Sequence, residues 1–199
     1  ILHVLPREYI VDSQRGIKDP IGMAGVRLET DAHLITCSSI AMKNLAKCVT
    51  EIGIDVAGMV YTGLASSYSV LTETEKELGV ALVDIGGGTT SLSIYVEGAC
   101  CHSCVIPLGS KKVTDDLAIG LMVSLESAEK IKHYLSHAPE EASEKTDEIN
   151  LNKLGLKEEI KSLSRKTVVD GIIRPRLNEI FALVGAALKK SGYGGQTPA

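Results

Sequence analysis

Residues 81–96, ALVDIGGGTTSLSIYV, place three consecutive glycines after an apolar run that ends in Asp84. Gly86, Gly87 and Gly88 carry no Cβ, so their backbone N–H groups can approach phosphate oxygens closely. Thr89 and Thr90 add hydroxyl donors. Asp84, at the end of a buried strand, can orient water around a magnesium ion that bridges phosphates. The residues after the glycines exclude two familiar phosphate loops. A P-loop needs Lys and then Ser or Thr after its last glycine, and GGGTTS contains no Lys. The dinucleotide fingerprint opens a helix, whereas here Ser91, Ser93 and Tyr95 alternate with Leu92, Ile94 and Val96, the period of a strand. The glycines therefore lie in a β-hairpin turn. On pattern alone that turn is either a phosphate cradle or a plain hairpin with an Asp cap.

A second pair of groups bears on the choice. In AEKIK, Glu129 and Lys132 stand three residues apart on one helical face. Such a pair can bind ribose hydroxyls, the carboxylate accepting and the ammonium donating. It can equally be a surface ion pair worth a few tenths of a kcal/mol. A third cluster, CCHSC at residues 100–104, would put Cys100, His102 and Cys104 on one face of a strand and Cys101 on the other. Zinc sites usually pair two such ligands with two more elsewhere, and no matching CxxC or HxxxH is present. These residues read as buried and half-buried thiols, with no metal site expected.

The elements that must position these groups emerge from periodicity. ILHVLPREYIVD is extended, with Pro6 suggesting an edge strand, SQRGIKDPIGMAG is a loop rich in Gly and Pro, and VRLETDAHLIT is a strand. Ser38 or Ser39 caps a helix with Leu45, Cys48, Val49 and Ile52 at helical spacing, closed by Gly53. MVYTGLASSYSVLTETEKELG reads as a short strand, a small-residue helix suited to close packing, and an acidic end at Glu73 to Glu77. After the glycine hairpin, Gly98 turns the chain into the strand ACCHSCVIPL. Two helices come next. GSKKVTDDLAIGLMV has Val113, Leu117, Ala118 and Leu121 on one face, and SLESAEKIKHYLSH is capped by Ser124 with Glu126 in its first turn. APEEASEKTDEIN is a solvated, mostly acidic loop. A long helix then runs from about Leu163 to Lys190, with a stripe of Ile172, Ile173, Leu177, Ile180, Phe181 and Val184 and a kink at Pro175, before the flexible tail SGYGGQTPA.

Composition narrows the function classes. Lys and Arg number 21 against 25 Asp and Glu with no basic stripe, and aromatics make up 4% with no Trp, which disfavours nucleic acid as a partner. No apolar run reaches the roughly 18 residues of a membrane span. Five cysteines, an odd number, fit a reducing compartment, so a cytoplasmic location is expected. The start at Ile1, already inside a strand-like pattern, reads as part of a longer protein.

Asp84, Gly86, Gly87, Gly88 and Thr89, followed by Glu129 and Lys132, resemble the second half of an actin-fold ATPase, the superfamily of sugar kinases and chaperone ATPases. The phrases LHVLPREYIVD, GIKDPIGMAGVRLE, HLITC, GLASSYSVLTETEKELGVALVDIGGGTT and VIPLGSKKVTDDLA are similar, in more detail, to the FtsA family of bacterial cell-division proteins. The resemblance implies an α/β, actin-like (ribonuclease-H-like) ATPase fold, present in part. Residues 1–57 would be part of subdomain 1C, and 58–108 the core and subdomain 2A with the phosphate hairpin. Residues 109–165 would be subdomain 2B, and 166–199 the long helix returning to 2A with its tail. The family binds ATP with Mg2+, so Asp84 would meet the metal through water, Gly86 to Thr90 the phosphates, and Glu129, Lys132 and Gly109 the nucleoside. It forms filaments and tethers FtsZ to the inner face of the cell membrane at the division septum. It contacts other divisome proteins through 1C. The FtsZ C-terminal peptide would dock on 2B and the start of the long helix, with Arg165, Lys166, Arg174 and Arg176 as candidate contacts. The first phosphate loop would precede Ile1, the adenosine motif and the membrane helix would lie outside this chain, and ATP binding by the chain alone would be weak or absent. Where many superfamily members carry a Glu or Gln that positions the attacking water, this sequence has Gly63. A glycine cannot polarise water, so at most a feeble ATPase is expected, with ATP acting mainly as a conformational ligand. The alternatives of the same fold are a small-molecule kinase and a chaperone-type ATPase.

Overall fold

The computed structural model describes residues 1–137, 147–152, 154–158, 160 and 162–197. The chain divides into two compact units. One is built from Ile1–Asp84, Ser91–Cys104 and Leu188–Ala199, the other from Ile85–Thr90 and Val105–Ala187.

In the first unit, β1 (His3–Val11), β2 (Gln14–Ile17) and β3 (Leu28–Ile35) form an antiparallel sheet in the order β2-β1-β3. Asp12 and Ser13 join β1 to β2 with φ of 46° and 75°, a turn whose twist suits a tight hairpin. The Asp12 carboxylate then accepts N–H bonds from Val26 and Arg27, which fixes where β3 begins. Two expectations change here. The stretch 13–25 contains a strand, and Pro6 lies on the central strand instead of an edge. The reason is local: β2 pairs only with Tyr9 and Val11, and the β1–β3 register slips between Pro6 and Glu8. The ladder is already interrupted where the residue without an N–H sits.

Helix α1 (Ser39–Thr50) is capped by the Ser38 hydroxyl, which accepts from the Ala41 N–H. Of its expected apolar stripe, Val49 is half-buried while Leu45 and Ile52 are exposed. The short strand expected near Met59 is absent from this stretch of described residues, because the Tyr61 N–H goes to His3 Nε2 at 3.0 Å instead of a ladder. Next, α2 (Thr62–Val70) and α3 (Glu73–Leu78) are separated by a capping box at Thr72 and Glu75, so the acidic end is a helix of its own. The second sheet has the order β4-β5-β6, with β4 (Val80–Ile85), β5 (Thr90–Val96) and β6 (Ala99–Ile106). Thr90 through Tyr95 of the central strand are all buried. Glu97 and Gly98, both at positive φ, make the two-residue turn into β6. Serines in a core strand have a steric cause: a Cβ on Gly63 of α2 would lie 2.3 Å from Ser93 Oγ, so helix and strand meet through small residues.

The second unit packs α4 (Lys111–Leu121) against α5 (Leu125–His137) around Val113, Leu117, Val123, Ala128 and Ile131. Ile149 of β7 (Glu148–Asn150) joins this core, and β7 pairs antiparallel with β8 (Ser162–Ser164). The acidic run therefore ends in a strand, while its residues 138–146 lie outside the described residues. The long helix begins later than expected, at Arg165, because Leu163 belongs to β8. It runs through α6 (Arg165–Val168), a π-helical turn at Val169–Ile173, and α7 (Arg174–Ser191). A proline ring at 175 collides with the carbonyl four residues earlier in a regular helix. The wider turn just before it supplies the room, so the disturbance expected at Pro175 appears as this π turn. Ile180 and Val184 are buried, Ile172, Ile173 and Leu177 half-buried, and Phe181, at the rim of the stripe, is exposed.

The start of α5 is capped from a distance. Glu158 accepts from the Ser124 N–H at 2.7 Å and from the Ser127 hydroxyl at 2.5 Å. These bonds, the one from Ser127 foremost, pull its carboxyl down to about 2 from an ordinary 4.5. A depressed carboxyl stabilises the fold fully above its unfolded value and loses that contribution as pH falls towards its folded value. Glu158→Gln should therefore lower Tm at pH 7, with the gap to the parent closing between about pH 4.5 and 2; thermal melts across that range check it.

Candidate functional site

Four residues link β4 to β5, too few for a parallel crossover, so the two strands form an antiparallel hairpin. Within it the Gly86 N–H donates to the Thr89 carbonyl at 2.9 Å and closes the turn. The turn's outward carbonyls are held by the first turn of α4: Ser110 N–H donates to Gly86 O and Lys111 N–H to Gly87 O, each at 2.9 Å. This docking is possible only because residue 109 is glycine. A Cβ there would stand 2.5 Å from both the Gly86 and Gly87 oxygens. Gly87 and Gly88 are exposed, and a Cβ on either would meet nothing within 4 Å, so the outer face of the loop is open to a ligand. Thr89 is exposed beside them. Thr90 is buried and gives its hydroxyl proton to Leu108 O at 2.8 Å, so it anchors the strand and has no proton left for a ligand. Asp84 is half-buried near the end of β4, and its carboxylate makes no hydrogen bond or ion pair among the described residues.

A cavity of about 440 Å³ in the second unit is lined by Gly87, the Ser110–Lys111 start of α4, Thr114 and Asp115, and Leu125, Glu126, Glu129 and Lys132 of α5. Part of the glycine loop and the Glu129–Lys132 pair, separated by some forty residues in sequence, thus line one space. The pair is fixed by a third group. Thr114 donates its hydroxyl proton to Glu129 Oε2 at 2.6 Å, and Lys132 Nζ donates to Glu129 Oε2 at 2.7 Å and to Thr114 Oγ1 at 2.9 Å. These bonds, from Lys132 first and then Thr114, hold the Glu129 carboxyl below its ordinary range. Glu126 is likewise lowered, chiefly by Lys157 and Lys130.

The remaining candidates have other surroundings. Gly109 is buried behind the Gly86 and Gly87 carbonyls. Arg176 is committed to the Asp116 carboxylate through two bonds of 2.6 and 3.0 Å and also pairs with Glu179. Arg174 pairs with Asp170 at 3.0 Å. The Lys166 backbone N–H caps onto Asp147, its side chain is exposed, and Arg165 is half-buried. In the cysteine cluster Cys100 and Cys101 are buried and Cys104 half-buried; burial pushes Cys100 up to about 11 and raises Cys104, keeping both as thiols. Sequence reasoning passed over Thr114 and Lys111. Thr114 is a lone hydroxyl on the apolar face of Val113 and Leu117, which is a legible signal. Lys111 forms no salt bridge among the described residues and lines the cavity beside Gly87, and nothing in a KK pair announces that.

The fold is that of the actin-like proteins. MreB5 of Spiroplasma citri with AMPPNP bound aligns with a TM-score of 0.59 at 14% identity, over 94% of this chain and 70% of that one. The PilM-PilN type IV pilus biogenesis complex aligns with a TM-score of 0.54 at 18% identity, over 75% of this chain and 36% of that one. Within that class the family is specific. The family described as "Cell division protein FtsA" matches residues 81–194, and "SHS2 domain inserted in FTSA" matches residues 1–36. "Cell division protein FtsA" of Pseudomonas aeruginosa is 43% identical over all 199 residues, which cover 47% of its length. That of Escherichia coli is 42% identical over 184 residues, 92% of this chain and 43% of its own length. The chain belongs to the FtsA family, and it spans about half the length of the curated relatives it matches.

The docking of loop on helix makes a direct prediction. Gly109→Ala forces backbone atoms apart at 2.5 Å contacts and should destabilise the second unit by about 2–3 kcal/mol, read by urea denaturation.

Proposed function

We propose that the cavity of the second unit is one wall of a nucleotide site that takes ATP with magnesium. The observation that carries this reading is the single space lined by Gly87, the first turn of α4 and the Glu129–Lys132 pair. The N–H groups of Gly87 and Gly88, the Thr89 hydroxyl and the Lys111 side chain, which lines the cavity beside Gly87, suit phosphate oxygens, while the Gly86 N–H closes the turn. Glu129 accepting and Lys132 donating suit the hydroxyls of a ribose. Among the described residues no three His, Cys, Asp or Glu side chains come together to hold a metal directly. The donor set therefore fits a magnesium ion carried by phosphate and water, with the unpaired Asp84 carboxylate, two residues before Gly86, receiving a bond from a metal-bound water. The bound ion would neutralise phosphate charge.

Nucleotide acts here as a conformational ligand. The position where a water-orienting Glu or Gln stands in related folds is Gly63, and a Cβ at that point would meet Ser93 Oγ at 2.3 Å. A side chain has no room there, which favours at most a feeble ATPase. The full-length protein, in this reading, polymerises in the actin-like manner, works on the cytoplasmic face of the membrane at the division septum, and tethers FtsZ there. Its membrane contact comes from a helix elsewhere in the full-length protein, and other divisome proteins meet the unit around β1–β3. The C-terminal peptide of FtsZ would dock on the helical unit, with Lys166, Arg165 and Arg174 at the start of the long helix; Arg176 serves mainly to tie α7 to α4 through Asp116. Family membership and the exposed Lys166 and Arg174 support the assignment.

Two experiments test it. Asp84→Ala in the full-length protein should weaken Mg-ATP binding by roughly tenfold or more while leaving metal-free ATP little changed; calorimetry showing equal Mg-ATP affinity would reduce the hairpin to a turn. A synthetic FtsZ C-terminal peptide should be retained by the folded chain and lost on Lys166→Glu with Arg174→Glu. Equal retention by both would remove the docking assignment.

A further inference from the structure

The Glu129–Lys132 pair rests on α5 alone in sequence, and three-residue pairs of this kind on an open helix face are loosely held. Here a third side chain arrives from α4. Thr114 is 5% exposed, and its neighbours on the same face, Val113 and Leu117, belong to the apolar core. Valine would fill that volume as well as threonine does. What the hydroxyl adds is one proton given to Glu129 Oε2 at 2.6 Å and one bond accepted from Lys132 Nζ at 2.9 Å. Neither recipient needs it for folding, since both side chains reach water: Glu129 is 44% and Lys132 24% exposed. The buried hydroxyl is satisfied by these two bonds, and their distinct effect is to fix where two partly exposed charges stand relative to each other.

Resting on the nucleotide reading above, we propose that Thr114 is a positioning residue. Its hydroxyl holds the Glu129 carboxylate and the Lys132 ammonium in one closed triangle, so that a ribose meets an acceptor and a donor already in place. The order of charges matters. Glu129 Oε2 receives both Thr114 and Lys132, so the carboxylate cannot swing about its terminal torsion without breaking two bonds. Oε1 is turned towards the exposed His133 ring, 3.4 Å away. Lys132 has three N–H donors and uses two in the triangle, leaving one for a ligand. Side-chain freedom that binding would otherwise have to freeze is removed in advance. The contact acts on the nucleoside end only; the loop at Gly86 to Thr89 is held by backbone bonds to Ser110 and Lys111 that do not involve the Thr114 side chain.

The test compares ATP with inorganic tripolyphosphate, which has the phosphates and no ribose, on the full-length protein and its Thr114→Val and Thr114→Ser variants. Thr114→Val should lose roughly tenfold in ATP affinity and nothing for tripolyphosphate, and Thr114→Ser should restore ATP binding. In carbon-13 NMR of the Glu129 carboxyl, a readout that needs no ligand, titration should move up in Thr114→Val, part of the way since the Lys132 bond remains, and stay at the parent position in Thr114→Ser. Unchanged ATP affinity, or an unchanged Glu129 titration in Thr114→Val, overturns the proposal. So does an equal loss for ATP and tripolyphosphate, which marks general loosening of the unit. If the parent protein itself prefers ATP no more than tripolyphosphate, the nucleoside reading of the cavity falls and Thr114 falls with it, a result separable because it is seen before any substitution.

Discussion

Two backbones come closer at one point than any side chain would allow, and the candidate site is organised around it. The glycine at 109 lets the chain entering α4 lie directly on the carbonyls of Gly86 and Gly87, and the next two N–H groups close onto those oxygens. Orphan donors at the start of a helix need acceptors, and carbonyls turned out of a tight hairpin need donors. Each element supplies what the other lacks. The same arrangement aims the loop's remaining, open face at the space that α4 and α5 enclose.

The rest of the second unit is built outward from that contact. Val113 and Leu117 drive one face of α4 into the core with Ala128 and Ile131 of α5, which lays the two helices side by side. Glu158 secures the beginning of α5 and the ion pair of Arg176 with Asp116 secures α7 against α4. The cavity side carries Asp115, Glu126, Glu129 and Lys132, with the Thr114 hydroxyl reaching it from the buried face of α4, and each carboxylate has a lysine beside it: Lys112 for Asp115, Lys130 and Lys157 for Glu126, Lys132 for Glu129.

Much of this was legible in the sequence because it depends on local pattern. The alternation after Gly88 fixes a hairpin, the Ser124 cap and its apolar spacing fix α5, and the three-residue spacing of Glu129 and Lys132 fixes their common face. What the sequence could not convey was set by partners distant along the chain. Pro6 reads as an edge residue, yet its strand is the central one of the sheet, and it is accommodated because β2 is too short to pair with it. Leu163 fits the helical stripe but is claimed by pairing with Ile149 in β7. Thr90 resembles one more ligand donor until Leu108 takes its proton. Phe181 shares the helical period of Ile180 yet stays outside, because one residue of rotation separates a rim from a stripe. Arg176, a free cation by composition, is consumed by an aspartate sixty positions away.

The tie between loop and helix also makes a gauge. Ser110 and Thr114 both line the cavity, Ser110 bonded to the glycine loop and Thr114 to the Glu129–Lys132 pair, and four residues of helix separate them, a rise of about 6 Å. The stretch Ile85–Thr90 belongs to the same compact unit as these helices. In the proposed reading a nucleotide would meet one compact unit at both its phosphate and its sugar, like the two jaws of a caliper, and a molecule lacking the sugar would leave the second jaw empty.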